Sequence, residues 1–479
     1  MAKLKNIIRQ LSEKDYKSIY DSLMESNAEK SAMLLEALRE KHMSDHAIME
    51  DLSVNTNAYY TLRSRLNQKI EEYLLEQVES PRTDILKKVA NINEIVFTSK
   101  KDLAIATLKK LERELIDYDL SNELTTVYKF LKKLHINTPE HFNYSQLYNK
   151  HVAYMLAVDK TEDLLAEYFK KYGEYTLTGD ETGKLELGLL KDEMGNVAAL
   201  YESHRLYVFQ SCIHIFHQLF VEESEELHPE EEPIEDVIEK VEGIFKSYNQ
   251  DSIYYHLNLV FQLLKLEYYN HYKVYRKAET YFEEVNDAIS NLLVNYSQYT
   301  FPAQFLVSKI ERHIRLGSAG ALEEENEGLF LDFEIDKDDV PTYIHYVMYR
   351  AISSYYSGAY EEAAKWINNL LNEISLKKYP YAALEIKMIL ALQYCIMNDF
   401  DLFNQLINSI QRQIRLLGKE NFENILIFSK ILKTSISDVK KNKPDKIRAL
   451  IAKLTDDYPI RFAPTRLIKM DDEFVSRLS

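Results

Sequence analysis

Apolar residues recur along almost the whole chain with the spacing of an α-helix. One such stripe is Leu103, Ala106, Leu108, Leu111 and Leu115, which follows the pattern of an amphipathic helix. The chain has only 11 glycines and 10 prolines, well below the usual shares of about 7% and about 5%, so turns are scarce. The sequence therefore predicts an all-α fold of long helices.

Length, charge and cysteine content narrow the class of protein. The 479 residues are enough for several domains or one long repeat array. The net charge of −17 argues against a protein whose whole surface follows nucleic acid. Two widely separated cysteines, Cys212 and Cys395, indicate a reducing compartment. Because no apolar run has the length of a signal sequence or of a membrane span, we expect a cytoplasmic protein with no membrane partner.

The segment 346–371, YVMYRAISSYYSGAYEEAAKWINNLL, has the pattern of two helices joined by a tight corner. It resembles a tetratricopeptide (TPR) unit. In that family a small residue packs in the first helix, a Gly-x-Tyr turn follows, and another small residue lies early in the second helix. Ala351, Gly358, Tyr360 and Ala363 occupy these places. Small side chains are needed there because two antiparallel helices approach closely only where little volume separates them.

Similar corners are predicted before Tyr275 and Phe400, and Gly317-Ser318 marks another break. The step from Tyr360 to Phe400 is 40 residues, longer than the 34 residues of a TPR repeat. Weaker signals for the start of a second helix lie near Asp102, Glu162, Ile234 and Asp445. The resemblance implies an α-solenoid of TPR-like antiparallel helix pairs over residues 81–479.

The segment 174–196, EYTLTGDETGKLELGLLKDEMGN, departs from this pattern. Together with Gly173 it contains five of the 11 glycines, and YTLTGDETGKLELG is compatible with a β-hairpin. We expect an inserted loop or β-arm in the repeat array near these residues.

Residues 1–80 form a predicted N-terminal helical module. Within it, 29–79 reads as three helices, and Thr56 or Asn57 is the expected N-cap of the third. The predicted core consists of Ile48, Leu52, Val54, Tyr59, Leu62 and Leu66. The first 130 or so residues also resemble the start of a family of uncharacterised bacterial helical proteins that continue into TPR-like repeats.

The spacing of Ile48, Leu52 and Val54 resembles the helix-turn-helix of sigma-factor and response-regulator DNA-binding domains, in which a glycine occupies the turn. Ser53 stands at the position of that glycine. The resemblance implies that the following helix could meet DNA through Arg63, Arg65 and Lys69. Residues 1–80 contain 11 basic and 14 acidic side chains, however, and compact DNA-binding domains are more often basic. Both a structural role and DNA binding remain open for this module.

Motifs for catalysis or metal binding are not evident. The stretch GDETGKL, 179–185, has one residue too few between its glycines for a phosphate-binding loop and lacks the Ser or Thr after the lysine. His214 and His217 lie on one predicted helix face without the further ligands that zinc requires. We therefore expect a protein that is not an enzyme and has no cofactor or metal.

Three segments carry a strong local charge. Residues 222–242 contain eleven acids and one lysine, and residues 323–339 contain nine acids and one lysine. Residues 440–469 instead contain nine basic and three acidic side chains. Acidic runs most often form solvated surfaces. The basic stretch could form a capping helix, or it could bind an acidic partner, nucleic acid or the acidic runs of the same chain.

Taken together, these patterns predict a scaffold for protein–protein interaction in which a groove lined by the first helix of each pair binds a peptide or protein. The TPR resemblance implies these groove residues: Glu267, Asn270, His271, His345, Met348, Tyr355, Glu385 and Met388. The alternative is a transcriptional regulator that binds DNA through its N-terminal module and uses the repeats as a sensor.

Overall fold

The computed structural model describes residues 8, 13–26, 28–39, 45–77, 81–201, 203–222, 232–248, 252–330, 333–418, 422–437, 442–455 and 458–478. Within these ranges every regular element is helical and no strand occurs. The predicted all-α fold is confirmed. In the described residues no helix has both the length and the apolar character needed to cross a membrane.

The chain divides into two compact units, 1–153 and 154–479. The predicted division at residue 80 stays a prediction. The helices of the first unit are α1 (Glu13–Glu25), α2 (Glu29–Arg39), α3 (Asp45–Asp51), α4 (Thr56–Gln77), α5 (Pro81–Ala90), α6 (Ile92–Thr98), α7 (Lys101–Asp117) and α8 (Ser121–Leu134). The unit boundary lies within the long helix α9 (Glu140–Thr178).

The second unit holds the remaining helices. They are α10 (Glu181–Ala199), α11 (His204–Phe220), α12 (Ile234–Ser247), α13 (Ser252–His271), α14 (Tyr275–Asp287), α15 (Ile289–Asn295), α16 (Ala303–Leu316), α17 (Leu322–Leu329), α18 (Val340–Tyr356), α19 (Tyr360–Glu373), α20 (Pro380–Ile396), α21 (Phe400–Leu417), α22 (Glu423–Ser435), α23 (Lys443–Ile451) and α24 (Asp472–Arg477). Short 3-10 turns cover Ala319–Ala321, Leu376–Lys378 and Pro464–Leu467.

The N-terminal module has its own hydrophobic cluster, built from α1 to α4. Of the predicted core residues, Ile48, Leu52, Tyr59 and Leu66 are buried, and Val54 and Leu62 pack against them. The three helices predicted between residues 29 and 79 are confirmed as α2, α3 and α4. The side chain that caps α4 is Asn55, whose Oδ1 accepts a bond from the Ala58 amide at 2.9 Å. The side chains of Thr56 and Asn57 lie outside what the structure describes.

A single type of corner recurs along the chain. A left-handed residue ends one helix, its amide donates to the carbonyl three residues earlier, and the next amide donates to the carbonyl five residues earlier. These paired bonds satisfy carbonyls that the helix end would otherwise leave without donors. The left-handed residues are Ser53, Asp119, Lys273, Gly317, Gly358 and Asn398. The corners predicted before Tyr275 and Phe400 are therefore confirmed as the same structure as the corner before Tyr360.

Four of these corners also share the conformation of the next residue. Leu120, Val274, Ala359 and Asp399 have φ between −83° and −87° and ψ between 56° and 74°. Each of the four corners leads directly into the second helix of a pair that packs against the first: α7 with α8, α13 with α14, α18 with α19 and α20 with α21. The described chain is thus built like a helical-repeat protein.

Predicted helix starts are mostly correct. Helices begin next to Asp102, at Ile234 and near Asp445. Glu162 does not start a helix, because it lies inside the 39-residue helix α9. No glycine or proline interrupts residues 140–172, so the backbone ladder of α9 continues through the position where we expected a break.

The loop or β-arm predicted over 174–196 is wrong. These residues complete α9 and form most of α10, with one corner between the helices. Only Gly179 has a positive φ, +62°. Asp180 N-caps α10 by accepting a bond from the Gly183 amide. Gly173 lies inside α9, and Gly183, Gly188 and Gly195 lie inside α10, so four of the five glycines in this stretch are helical.

The acidic stretch 323–339 has an inward-facing part. Glu325 pairs with Lys309 at 2.8 Å, and only 1% of the Lys309 side chain is exposed. Glu323 pairs with Arg350 at 3.4 Å. These carboxylates neutralise cations on α16 and α18, so this part of the run stabilises the packing of α17. Of the other acidic run, residues 223–231 lie outside the described ranges.

Candidate functional site

A cavity of about 590 Å³ lies in the second unit. Its wall is formed by side chains of α9, α11, α13, α16 and α18, by Lys273 and Tyr275 where α13 meets α14, and by residues 461–467 near the C-terminus. These helices come together because α11 packs against α13, α13 against α16 and α16 against α18. This cavity is the candidate site.

The wall near the C-terminus belongs to an irregular segment, residues 458–469, that we call the C-terminal segment. Its only regular element is the 3-10 turn Pro464–Leu467. The Phe462 amide donates to the Thr176 carbonyl in the last turn of α9 at 2.9 Å. Gly179 lies so close that a Cβ atom at this position would overlap the Pro459 carbonyl oxygen. A side chain at residue 179 would therefore force the C-terminal segment to shift away from α9.

Glu385 on α20 holds the middle of the C-terminal segment. Its Oε2 accepts bonds from the Thr465 hydroxyl at 2.6 Å and from the Thr465 amide at 3.2 Å. Glu385 is buried, and desolvation raises its carboxyl pKa from 4.5 to about 7 although the two Thr465 bonds act in the opposite direction. The residue predicted to line a binding groove thus binds a segment of its own chain.

Tyr356, the last residue of α18, binds the end of the C-terminal segment that follows Thr465. Its hydroxyl donates to the Leu467 carbonyl at 2.7 Å and accepts from the Lys469 amide at 2.9 Å. One phenol therefore satisfies two backbone groups of the C-terminal segment. Helices α9, α18 and α20 together bind its backbone at Phe462, Thr465, Leu467 and Lys469.

Glu267 on α13 is the buried acid of the cavity. The Ser308 hydroxyl donates to its Oε2 at 2.7 Å, while Oε1 is buried without a hydrogen-bond partner. Burial raises the pKa of Glu267 from 4.5 to about 8, with the Ser308 bond opposing this shift. At neutral pH the carboxyl group is therefore mostly protonated and uncharged.

Cationic side chains also line the cavity: Lys273, Arg315, Arg461 and Arg466. Arg315 stacks over the Tyr275 ring with its Cζ 3.6 Å from the centroid, and it lies 3.6 Å from a Glu279 oxygen. Such contacts fix the direction of a guanidinium group. Glu311 is the other acid in the lining, and burial raises its pKa while Arg466 and Arg315 oppose the shift.

His345 on α18 links the cavity to the C-terminal segment. Its Nδ1 donates to the Pro341 carbonyl at 2.8 Å. Its ring meets Phe301 and Phe462 edge-on, with centroids 5.4 Å and 5.0 Å away. Burial lowers the pKa of His345 from 6.5 to about 4, so the ring is neutral at physiological pH. The ring acts as an apolar packing surface for Phe462.

The structure separates the predicted groove residues into two sets. Glu267, Asn270, His271, His345 and Met348 line the cavity. Outside the lining, Glu385 binds Thr465, Tyr355 lies beneath Arg477 with 5.9 Å from Cζ to the ring centroid, and Met388 is fully buried. Sequence reasoning missed Ser308, Glu311 and Arg315. The basic character of 440–469 was the available signal for Arg461 and Arg466.

The predicted DNA-binding residues differ in exposure. Arg63 is only 8% exposed, Arg65 is exposed, and Lys69 is half-buried. Ser53 adopts φ of +49°, so the turn has the left-handed conformation that the family's glycine would provide. Arg63 and Arg65 do not present their charges to solvent together.

In the described part of the chain no cluster of three or more His, Cys, Asp or Glu side chains has an arrangement that could hold a metal ion. His214 bonds to the Glu232 carbonyl, and His217 bonds to the Tyr168 hydroxyl. The two histidines considered as ligands thus have structural partners.

The chain matches no protein-family model, no curated protein and no solved structure.

Proposed function

We propose that this chain is a non-catalytic protein–protein interaction module that binds a peptide or a peptide-like segment of a protein in the cavity of the second unit. The observation that carries the proposal is the binding of the C-terminal segment. Side chains and a carbonyl of α9, α18 and α20 hold the backbone of this largely irregular segment at four residues.

The chemistry of this contact is that of peptide recognition. An irregular segment can be buried only if its amides and carbonyls find partners, and here helix groups supply them. The adjoining cavity of about 590 Å³ has the size of sites that hold small ligands or several side chains. A segment of another chain that lies in the cavity would find room for its side chains and the polar side chains of Asn270, Lys273 and Arg315 in the lining.

The recurring corner supports a TPR-like α-solenoid for the second unit. Gly317, Gly358 and Asn398 follow one another at intervals of 41 and 40 residues with the same turn. In such arrays each helix pair buries its apolar face against its neighbours and leaves a continuous surface for partners. We also propose a cytoplasmic location, which is supported by the two cysteines, Cys212 and Cys395, both buried and unpaired.

Selection from a phage-displayed random heptapeptide library with the full-length chain tests the proposal. We expect a consensus sequence whose synthetic peptide binds the wild-type chain. Asn270 is half-buried and lines the cavity, so Asn270→Trp should weaken binding by about tenfold or more by filling space. Asn408→Trp makes the same change at an exposed position on α21 and should leave the affinity unchanged.

Failure to enrich any consensus would contradict the proposal. Equal binding by the wild-type chain and the Asn270→Trp variant would show that the peptide binds elsewhere and would also contradict it. Thermal unfolding of both variants separates loss of binding from loss of structure.

DNA binding by the N-terminal module is a second candidate, favoured by the left-handed turn at Ser53 and by the exposure of Arg65. If it is correct, the full chain should bind duplex DNA with an affinity that falls steeply with salt. The double substitution Arg65→Ala and Lys69→Ala should then reduce the affinity and the salt dependence. Absence of binding at low salt would exclude this role.

A further inference from the structure

The cations around the cavity outnumber its acids. Within the described ranges the side chains of Lys273, Arg461 and Arg466 have no hydrogen bond or ion pair at contact distance, although the charge of Arg466 opposes the rise in the pKa of Glu311. Arg315 shares Glu279 with Arg312. Facing them are Glu311 and the buried Glu267. With Glu267 protonated, Glu311 is the only anion in the lining described by the structure. The electrostatic character of the site is therefore positive.

This charge contrasts with the rest of the chain. The protein as a whole has a net charge of −17, which repels acidic partners from most of its surface. The C-terminal segment brings Arg461 and Arg466 to the cavity because Glu385, Tyr356 and Thr176 hold it there. A local cluster of cations held in this way favours an anionic ligand and gives it one place to bind.

Glu267 sets a second requirement for a ligand of the cavity, which is a group that can hydrogen-bond to its Oε1 atom. Its Oε1 is buried, lacks a partner and belongs to a side chain only 4% exposed that lines the cavity. A buried polar atom without a partner is costly, so a ligand that bonds to it gains affinity. Because protonation removes its charge, a protonated Glu267 can donate to a carbonyl or carboxylate oxygen and does not repel an acidic ligand.

We propose that the cavity binds an acidic peptide segment, with its carboxylates at Lys273, Arg461 and Arg466 and one of its oxygens at Glu267 Oε1. This inference rests on the proposed peptide-binding function and specifies the partner. Arg is suited to the contact because its planar group can bond a carboxylate through two nitrogens. The C-terminal segment thereby has a direct role, since it carries two of the three cations.

The library selection tests the inference when its consensus is read for charge. We expect Asp or Glu at two or more of the seven positions. A synthetic consensus peptide should bind about tenfold more tightly than its counterpart with Gln and Asn at those positions. Its affinity should also fall as the salt concentration rises.

Matched charge variants locate the contact. Arg461→Gln combined with Arg466→Gln should lower the affinity for the acidic peptide by about tenfold or more. Arg412→Gln combined with Arg415→Gln removes the same charge from exposed positions on α21 in the same unit and should have little effect. In the otherwise wild-type chain, Glu267→Ala should also weaken peptide binding. Glu267→Gln keeps a hydrogen-bond donor and should weaken binding less than Glu267→Ala does.

The outcomes distinguish this inference from the function on which it rests. A neutral or basic consensus that is still sensitive to Asn270→Trp would overturn the acidic partner and leave peptide binding intact. An acidic consensus affected equally by both arginine pairs would overturn the assignment to Arg461 and Arg466. No consensus at all would overturn the proposed function itself.

Discussion

At the scale of single residues, three buried groups connect the candidate site to pH. Burial raises the carboxyl pKa of Glu267 to about 8 and that of Glu385 to about 7, from 4.5. A raised carboxyl pKa contributes stability that is fully present below pH 4.5 and is lost as the pH rises through the folded-state value. His345 acts in the opposite direction, because its lowered pKa of about 4 contributes stability above pH 6.5 that is lost on acidification.

Glu267→Gln replaces the protonated acid with a neutral group of the same shape. We expect the variant to lose much of the decline in stability that the wild-type chain shows between pH 4.5 and pH 8, while Ser308 can still donate to the new amide oxygen. Urea unfolding of the full chain at several pH values measures the effect. Glu361→Gln, at an exposed position on α19, should retain the wild-type pH profile, and an unchanged profile in Glu267→Gln would show that the buried acid does not titrate as inferred.

Ser53 is a second residue with a measurable consequence. Its φ of +49° costs a non-glycine residue roughly 1–2 kcal/mol. Ser53→Gly should therefore stabilise the first unit by about 1 kcal/mol, observed as slower hydrogen exchange in α3 and α4. The same change at exposed Ser64 in the middle of α4 should destabilise it by about 0.5–1 kcal/mol, and a loss of protection in Ser53→Gly would contradict the strain argument.

At the scale of elements, the helix corners could be predicted because their signals come from residues that are close in sequence. The corners before Tyr275, Tyr360 and Phe400 were recognisable because a polar or glycine residue interrupts the apolar pattern and an aromatic residue restarts it. The hairpin at 174–196 was wrongly predicted because glycine was read as a turn signal at every position. The buried face of α10, formed by Leu187, Met194 and Ala198, continues past Gly188, and packing of α10 against α11 outweighs the low helix propensity of glycine.

The contact between the α9–α10 corner and the C-terminal segment gives the element-scale prediction. Gly179→Ala adds a Cβ that overlaps the Pro459 carbonyl oxygen and strains a backbone with φ of +62°. We expect faster hydrogen exchange at the Phe462 and Thr465 amides as the segment loosens.

Two other glycines provide controls for Gly179→Ala. Gly358→Ala, where φ is +82° but no atom is near, tests strain alone and should leave those two amides protected. Gly188→Ala, helical and unobstructed, should stabilise α10 by about 0.5–1 kcal/mol. Unchanged exchange at Phe462 in Gly179→Ala would show that this close approach does not hold the segment.

At the scale of the whole molecule, the site was only partly predictable. Glu267, His271, His345 and Met348 could be placed on a shared surface because the repeat fixes which helix face they occupy. The C-terminal segment could not be placed, because Tyr356 and Lys469, or Glu385 and Thr465, are separated by 113 and 80 residues. No periodicity indicates that such distant residues meet. The cationic side of the site arises from this long-range contact.

The central claim is that the cavity of the second unit binds a peptide next to the C-terminal segment. Hydrogen–deuterium exchange of the full-length chain, with and without the consensus peptide, tests it most directly. The claim predicts slower exchange on peptide binding in residues 267–275 and 461–467, which line the cavity, and no change in α1 to α4. Slower exchange confined to other parts of the chain, or no change while the peptide is bound, would contradict it.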